Sequence, residues 1–215
     1  MCKELEQIET KFKEISGIDI DLSIFPLSES DLNVQTVTNK LKKVNFGEVF
    51  TPLWLVDRMI LKCADNVLAT GEKMLKAQAT LDLCAGYGQF TIRMLRCINI
   101  YKESQKEEFE VNKWLSKHSV SEIQLGSVYK LLYIFGSELN IYIGDSRFLN
   151  KLKESQSGIL IYNGKNWQNI TKSVRKTFGN IKSYDENEEA LFCKWLKIKL
   201  VNRKKTQPLL KGILC

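Results

Sequence analysis

Hydrophobic residues recur at helical spacing through the first sixteen positions. Leu5, Ile8, Phe12 and Ile15 are separated by lysines and glutamates, which predicts an amphipathic helix over residues 1–16 that folds onto its own domain. The period is lost over residues 17–45, where Pro26 and Ser28-Glu29-Ser30-Asp31 mark a turn or a helix start. It returns from Leu53 to Leu68, with Thr51 placed to cap that helix and Pro52 in its first turn, where proline is tolerated. At Ala79-Thr80-Leu81-Asp82-Leu83 the pattern changes to a short apolar run, the mark of a buried strand. That run enters Cys84-Ala85-Gly86-Tyr87-Gly88, and from Gln89 to Ile100 the apolar positions Phe90, Ile92, Met94, Leu95 and Ile98 again follow a helix. Strand, glycine turn and helix in this order open a βαβ unit.

Residues 102–117 are strongly charged and read as a surface insertion or a solvated helix. The alternation then resumes. Strands are predicted at Val120–Gln124, Asn140–Gly144 and Gly158–Tyr162, with helices at Ser127–Phe135 and Phe148–Lys153 between them. After Asn163 the sequence turns helical and no further strand is predicted. Strands alternating with helices predict an α/β fold built on a doubly wound, mostly parallel sheet. Three regions follow: an N-terminal helical region over 1–44, the α/β domain over 45–185, and a basic C-terminal tail over 186–215.

Composition sharpens this picture at three points. With 44% hydrophobic and 27% charged residues the chain has material for a core, which excludes a wholly disordered protein. The net charge of +7 is unevenly placed. From Ala190 onward there is no acidic residue, and Lys194, Lys197, Lys199, Arg203, Lys204, Lys205 and Lys211 account for the whole excess. The six cysteines show no CxxC pair, and Cys63, Cys84 and Cys97 lie in apolar stretches and read as buried thiols, so a reducing cytoplasm is expected. The single histidine, His118, leaves little scope for a zinc site or a histidine-dependent triad, and no stretch approaches the ~20 apolar residues of a membrane span.

The glycine turn places an acid and two glycines at the carboxyl end of the first strand, where open α/β sheets bind ligands. Asp82-x-Cys84-x-Gly86-x-Gly88-x-Phe90 resembles the S-adenosylmethionine turn of DNA adenine-N6 methyltransferases, and Phe50-Thr51-Pro52 upstream resembles the run that precedes it in the gamma-type members. The resemblance covers Asn45 to Trp167 and implies a Rossmann-like methyltransferase fold with S-adenosyl-L-methionine as cofactor. It further implies that Glu122, closing the second strand, binds the ribose hydroxyls, and that Asp145, after the third, contacts the cofactor's adenine. An ordinary surface glutamate and a helix N-cap are the competing readings of these two acids.

The catalytic element departs from the family. Where its members carry a polar residue, two prolines and an aromatic, this chain has Asn163-Gly164-Lys165-Asn166-Trp167. Asn163 and Trp167 are the catalytic candidates, the first to accept from the target amine and the second to stack on a flipped base. Both prolines are missing, however, and the segment equally suits a plain turn. Two readings therefore stand. One is an adenine-specific DNA methyltransferase of a restriction-modification system, in a bacterial or phage-infected cell. The other is a non-catalytic or partner-dependent relative that binds cofactor and nucleic acid. A nicotinamide oxidoreductase is disfavoured by the lack of a full G-x-G-x-x-G. The residues after Trp167 are too few for the remaining strands and a DNA-reading module, so the fold is expected to be shortened on that side, with a protein partner supplying target recognition. The tail interleaves lysines with Phe192 and Trp195, a composition suited to DNA phosphates and stacking, or to a packed helix whose lysines reach water.

Overall fold

The computed structural model describes residues 2–29, 51–152 and 157–201. It divides into two compact units, each with its own core. One comprises Met1–Thr80 and Tyr87–Trp114, the other Leu81–Gly86 and Leu115–Cys215.

The first unit is helical. Helix α1 (Lys3–Ser16) buries Leu5, Ile8 and Phe12. The helix predicted over Leu53–Leu68 is in fact two, α2 (Leu53–Leu61) and α3 (Val67–Lys76), because Asn66 starts a new helix by accepting a hydrogen bond from the Ala69 amide. Pro52, and not Thr51, occupies the N-cap of α2, without a side-chain capping bond. Helix α4 (Gln89–Ser104) packs against α1, α2 and α3. Its close approach to α3 depends on Gly71, where a Cβ would lie 2.6 Å from the Cys97 carbonyl oxygen. Two buried arginines on α4 organise this core. The Arg93 side chain is fully buried, pairs with Asp57 at 2.7 Å and donates to the carbonyls of Leu22 and Ile24. Arg96 pairs with Glu9 on α1. The charged stretch 102–117 is not simply a solvated insertion. It contains α5 (Val111–Leu115), with Phe109, Val111 and Trp114 buried and the Trp114 indole donating to the Met74 carbonyl.

The second unit is α/β. Five strands form its sheet: β1 (Thr80–Leu83), β2 (His118–Glu122), β3 (Asn140–Ile143), β4 (Ile159–Tyr162) and β5 (Trp167–Asn169). β2, β3 and β4 are parallel, and β3 and β4 are buried along their whole length, as the apolar runs Ile141–Ile143 and Ile159–Tyr162 require. Tyr142, Leu160, Tyr162 and Trp167 form one buried cluster, against which Phe148, Leu149 and Leu152 pack from the 3-10 turn Ser146–Lys151 and its end. The alternate positions Ile141, Ile143, Ile159 and Ile161 point the other way. Helix α6 (Leu125–Phe135) packs on β2 and β3, and α8 (Glu186–Val201) packs on α6.

Two further expectations change in the α/β unit. The sheet is α/β and mostly parallel, but its strands follow chain order, β1-β2-β3-β4-β5. The reversal of strand order that defines a doubly wound sheet is therefore absent among the described strands. The segment after Asn163 is also not directly helical. Residues 163–166 form a turn, β5 returns antiparallel with Trp167 opposite Tyr162, and only then does α7 (Thr171–Phe178) begin.

Candidate functional site

The candidate residues of the α/β unit gather at the carboxyl ends of its strands. Beyond β1 the chain turns through Cys84, with φ of 61°, and Gly86, with φ of 58°. Left-handed backbone suits glycine, whereas cysteine holds it at a cost. The turn is fastened to its neighbour strand. The Ala85 amide donates to the Ser121 carbonyl at 3.1 Å, and the Gly86 amide donates to Glu122 Oε2 at 2.8 Å. Glu122 Oε1 accepts from the amides of Ile123 and Gln124. Glu122 is thus neither a plain surface residue nor an idle acceptor, since one buried carboxylate gathers three backbone donors and joins two strand ends.

Asp82 is a strongly perturbed group of the unit. It is 8% exposed, and its Oδ2 has no hydrogen-bond partner. Burial first, and then the Glu122 charge, pushes its carboxyl up to about 7. Such a group sits on the border between acid and carboxylate at neutral pH. Leu81 and Leu83, on either side of it along β1, are exposed.

Asp145 follows β3 and is the N-cap of the 3-10 turn, the competing reading of this acid. It accepts from the Arg147 amide at 2.9 Å and also pairs with the Arg147 guanidinium. The Arg147 hydrogen bond is the main reason its carboxyl lies below the usual range. Gly144, just before it, has no room for a side chain, because a Cβ would lie 2.9 Å from that of Tyr162.

Both catalytic candidates hold structural positions. Asn163 Oδ1 accepts from the amides of Lys165 and Asn166, and its Nδ2 donates to Asn166 Oδ1, so the carboxamide closes the β4–β5 turn. Gly164 in that turn has φ of 91°, which proline cannot adopt. Proline fits neither position 164 nor position 165 of this hairpin, since the Lys165 amide is also used. Trp167 is 7% exposed, donates its indole N–H to the Phe148 carbonyl at 2.9 Å and tilts against Tyr142 and Tyr162. It is a core residue with no open face for a base. Strand order adds a further separation. β4 is three strand positions from β1, which puts Asn163 about 14 Å across the sheet from the glycine turn.

The remaining candidates lie in the helical unit, except Phe50, which falls outside the described residues. Thr51 and Pro52 lead into α2. Gly88, with φ of 89°, is the N-cap of α4, and Phe90 is half-buried on its first turn. Sequence reasoning passed over Gln89, between them. It is 5% exposed and its Nε2 has no partner. The signal was a long polar side chain directly after the second glycine.

Elsewhere the cysteine and tail readings divide. Cys97 is buried, and burial pushes its thiol up to about 12, but Cys63 and Cys84 are exposed. His118 is buried and held down to about 3, so it is neutral. No group of acidic, histidine or cysteine residues suited to a metal ion occurs among the described residues. The first part of the basic tail is α8, anchored at its acidic end by Glu188 on the Tyr129 hydroxyl and Glu189 beside Lys130. Trp195 packs edge-on against Phe178, and residues 202–215 lie outside the described residues. No described helix is long and apolar enough to cross a membrane.

No family model matches the chain, and neither a curated protein nor a solved structure is significantly similar to it.

Proposed function

We propose that this protein is a methyltransferase-like binding module that holds S-adenosylmethionine and does not itself transfer the methyl group. The observation that carries the reading is Asp82, a buried carboxyl with an unpartnered oxygen at the glycine turn, poised near neutral pH. The residues present fit the cofactor in chemical type. Asp82 offers an acceptor for an ammonium, and Glu122 holds the turn in the open left-handed form that lets backbone approach a ligand. The cofactor, when bound, would supply an activated methyl group.

The same geometry argues against transfer within this chain. The acceptor role needs Asn163 free to face the target amine, and by strand order it lies three positions, about 14 Å, across the sheet from the turn. Its carboxamide is also committed to the hairpin, and Trp167 to the core. A role in DNA methylation and a protein partner that brings the catalytic groups both belong to this proposal. DNA contact is assigned to the basic end of α8, with Lys194, Lys197 and Lys199, and to the residues beyond it.

Calorimetric titration with S-adenosylmethionine tests the proposal. Saturable binding is expected, weakened about 10- to 100-fold in Asp82→Ala, the range for losing a hydrogen bond to a charged group. The unmodified chain is expected to give no labelled methyl on duplex DNA. No binding by the wild-type chain, or robust methylation by it, overturns the reading.

A further inference from the structure

In the helical unit, a cavity of about 770 Å³ opens beside the C-terminal end of α4. Its lining is strongly one-signed. Glu4, Glu103, Glu107, Glu108 and Glu110 face it, against Lys3 and Lys113. Glu107 and Glu110 are partly balanced by Lys102 and Lys113, and Glu103 is also engaged. Glu108 has no ion pair among the described residues. The carbonyl end of a sixteen-residue helix adds negative potential at the same place. On a chain of net charge +7, this is a local field of the opposite sign, and it selects cations.

A second observation narrows the ligand. Asn99, on α4, lines the cavity, is 2% exposed, and its Nδ2 has no hydrogen-bond partner. A buried amide N–H left unpaired costs about 1–3 kcal/mol, and a ligand carbonyl would relieve that cost. Phe109, 4% exposed, supplies an apolar wall for an aliphatic stem. The occupant must therefore combine a cation, a short apolar stem and a neutral carbonyl. A polyamine has no carbonyl. A free basic amino acid carries a carboxylate, which the glutamates repel.

We propose that this cavity binds a short peptide segment bearing lysine or arginine, its cationic head among Glu103, Glu107 and Glu108 and a backbone carbonyl accepting from Asn99. This site is independent of the S-adenosylmethionine reading and stands or falls separately. The volume lies within the usual range of ligand cavities, about 300–1,000 Å³.

The test uses the full chain and the blocked peptide acetyl-Arg-Gly-Arg-amide, with acetyl-Gln-Gly-Gln-amide and spermidine as comparisons, followed by calorimetry. The basic peptide is expected to bind, and its affinity to fall at least about tenfold between low and high salt as the field is screened. Glu108→Gln should weaken it about 3- to 5-fold, the range for a partly exposed charge pair. Asn99→Ala should remove the preference for the peptide over spermidine. Should that buried substitution prevent folding, the Glu108→Gln variant and the wild-type ligand comparison still decide the question. Spermidine binding as tightly as the peptide to the wild-type chain, the uncharged peptide binding equally well, or no binding at millimolar peptide would each overturn the proposal.

Discussion

Replacing Trp167 by alanine separates a core residue from a base-stacking one. The indole is 7% exposed, lies among Tyr142, Leu160 and Tyr162, and gives its N–H to the Phe148 carbonyl. Truncating a buried tryptophan costs about 3–5 kcal/mol. Leaving the Phe148 carbonyl without its donor adds about 1 kcal/mol. The expected loss is therefore roughly 4–6 kcal/mol, which for a chain of this length lowers the melting temperature on the order of 10–20 °C. Trp167→Phe keeps most of the packing and loses the hydrogen bond, so it should cost only about 1–2 kcal/mol. Urea unfolding at neutral pH, with calorimetric melting alongside, measures both. If Trp167→Ala stays within about 1 kcal/mol of the wild type, the indole is not part of the core. The structural objection to its stacking on a base then falls.

Three further outcomes are expected. Asp57→Leu and Arg93→Met should each cost about 3–5 kcal/mol by stranding a buried charge, whereas the double variant should cost clearly less than their sum; additive losses in a double-mutant cycle would refute the pairing. Cys84→Gly should be neutral or stabilise by about 1 kcal/mol, because glycine relaxes a φ of 61°, and a loss above that amount in urea unfolding would show that the cysteine side chain contributes. For pH, Asp82 has a folded pKa raised to about 7, so the folded state binds the extra proton and stability falls as pH rises from about 4 to 7. His118, held down to about 3, acts oppositely and adds stability as pH rises from about 3 to 6.5. The two slopes offset in the wild type. Asp82→Asn should therefore leave a net rise with pH, and His118→Asn a net fall, both readable from melting temperatures between pH 4 and 7.

Much of the local structure is determined by the sequence alone. The apolar runs at Ile141–Ile143 and Ile159–Tyr162 are strands because a fully buried strand has no polar face to alternate. The amphipathic spacing at Leu5, Ile8 and Phe12 likewise determines α1. Asp145 as an N-cap, and the acid placed to close β2, are also legible, since both depend on positions a few residues apart. Only the tertiary structure decided the rest. Strand order depends on which edges meet, and no periodicity encodes that, so the reversal expected of a doubly wound sheet does not occur among the described strands. The same holds for Cys63 and Cys84, apolar in sequence context yet exposed. Asn163 and Trp167 have the residue types a catalytic motif needs. Whether such groups are open to a ligand depends on what occupies their hydrogen bonds and faces, and here the Lys165 and Asn166 amides, the Phe148 carbonyl and two tyrosine rings do. The reverse applies to Asp82 and Asn99. Sequence shows a polar side chain, and only the packed structure shows that it is buried with an atom unpaired.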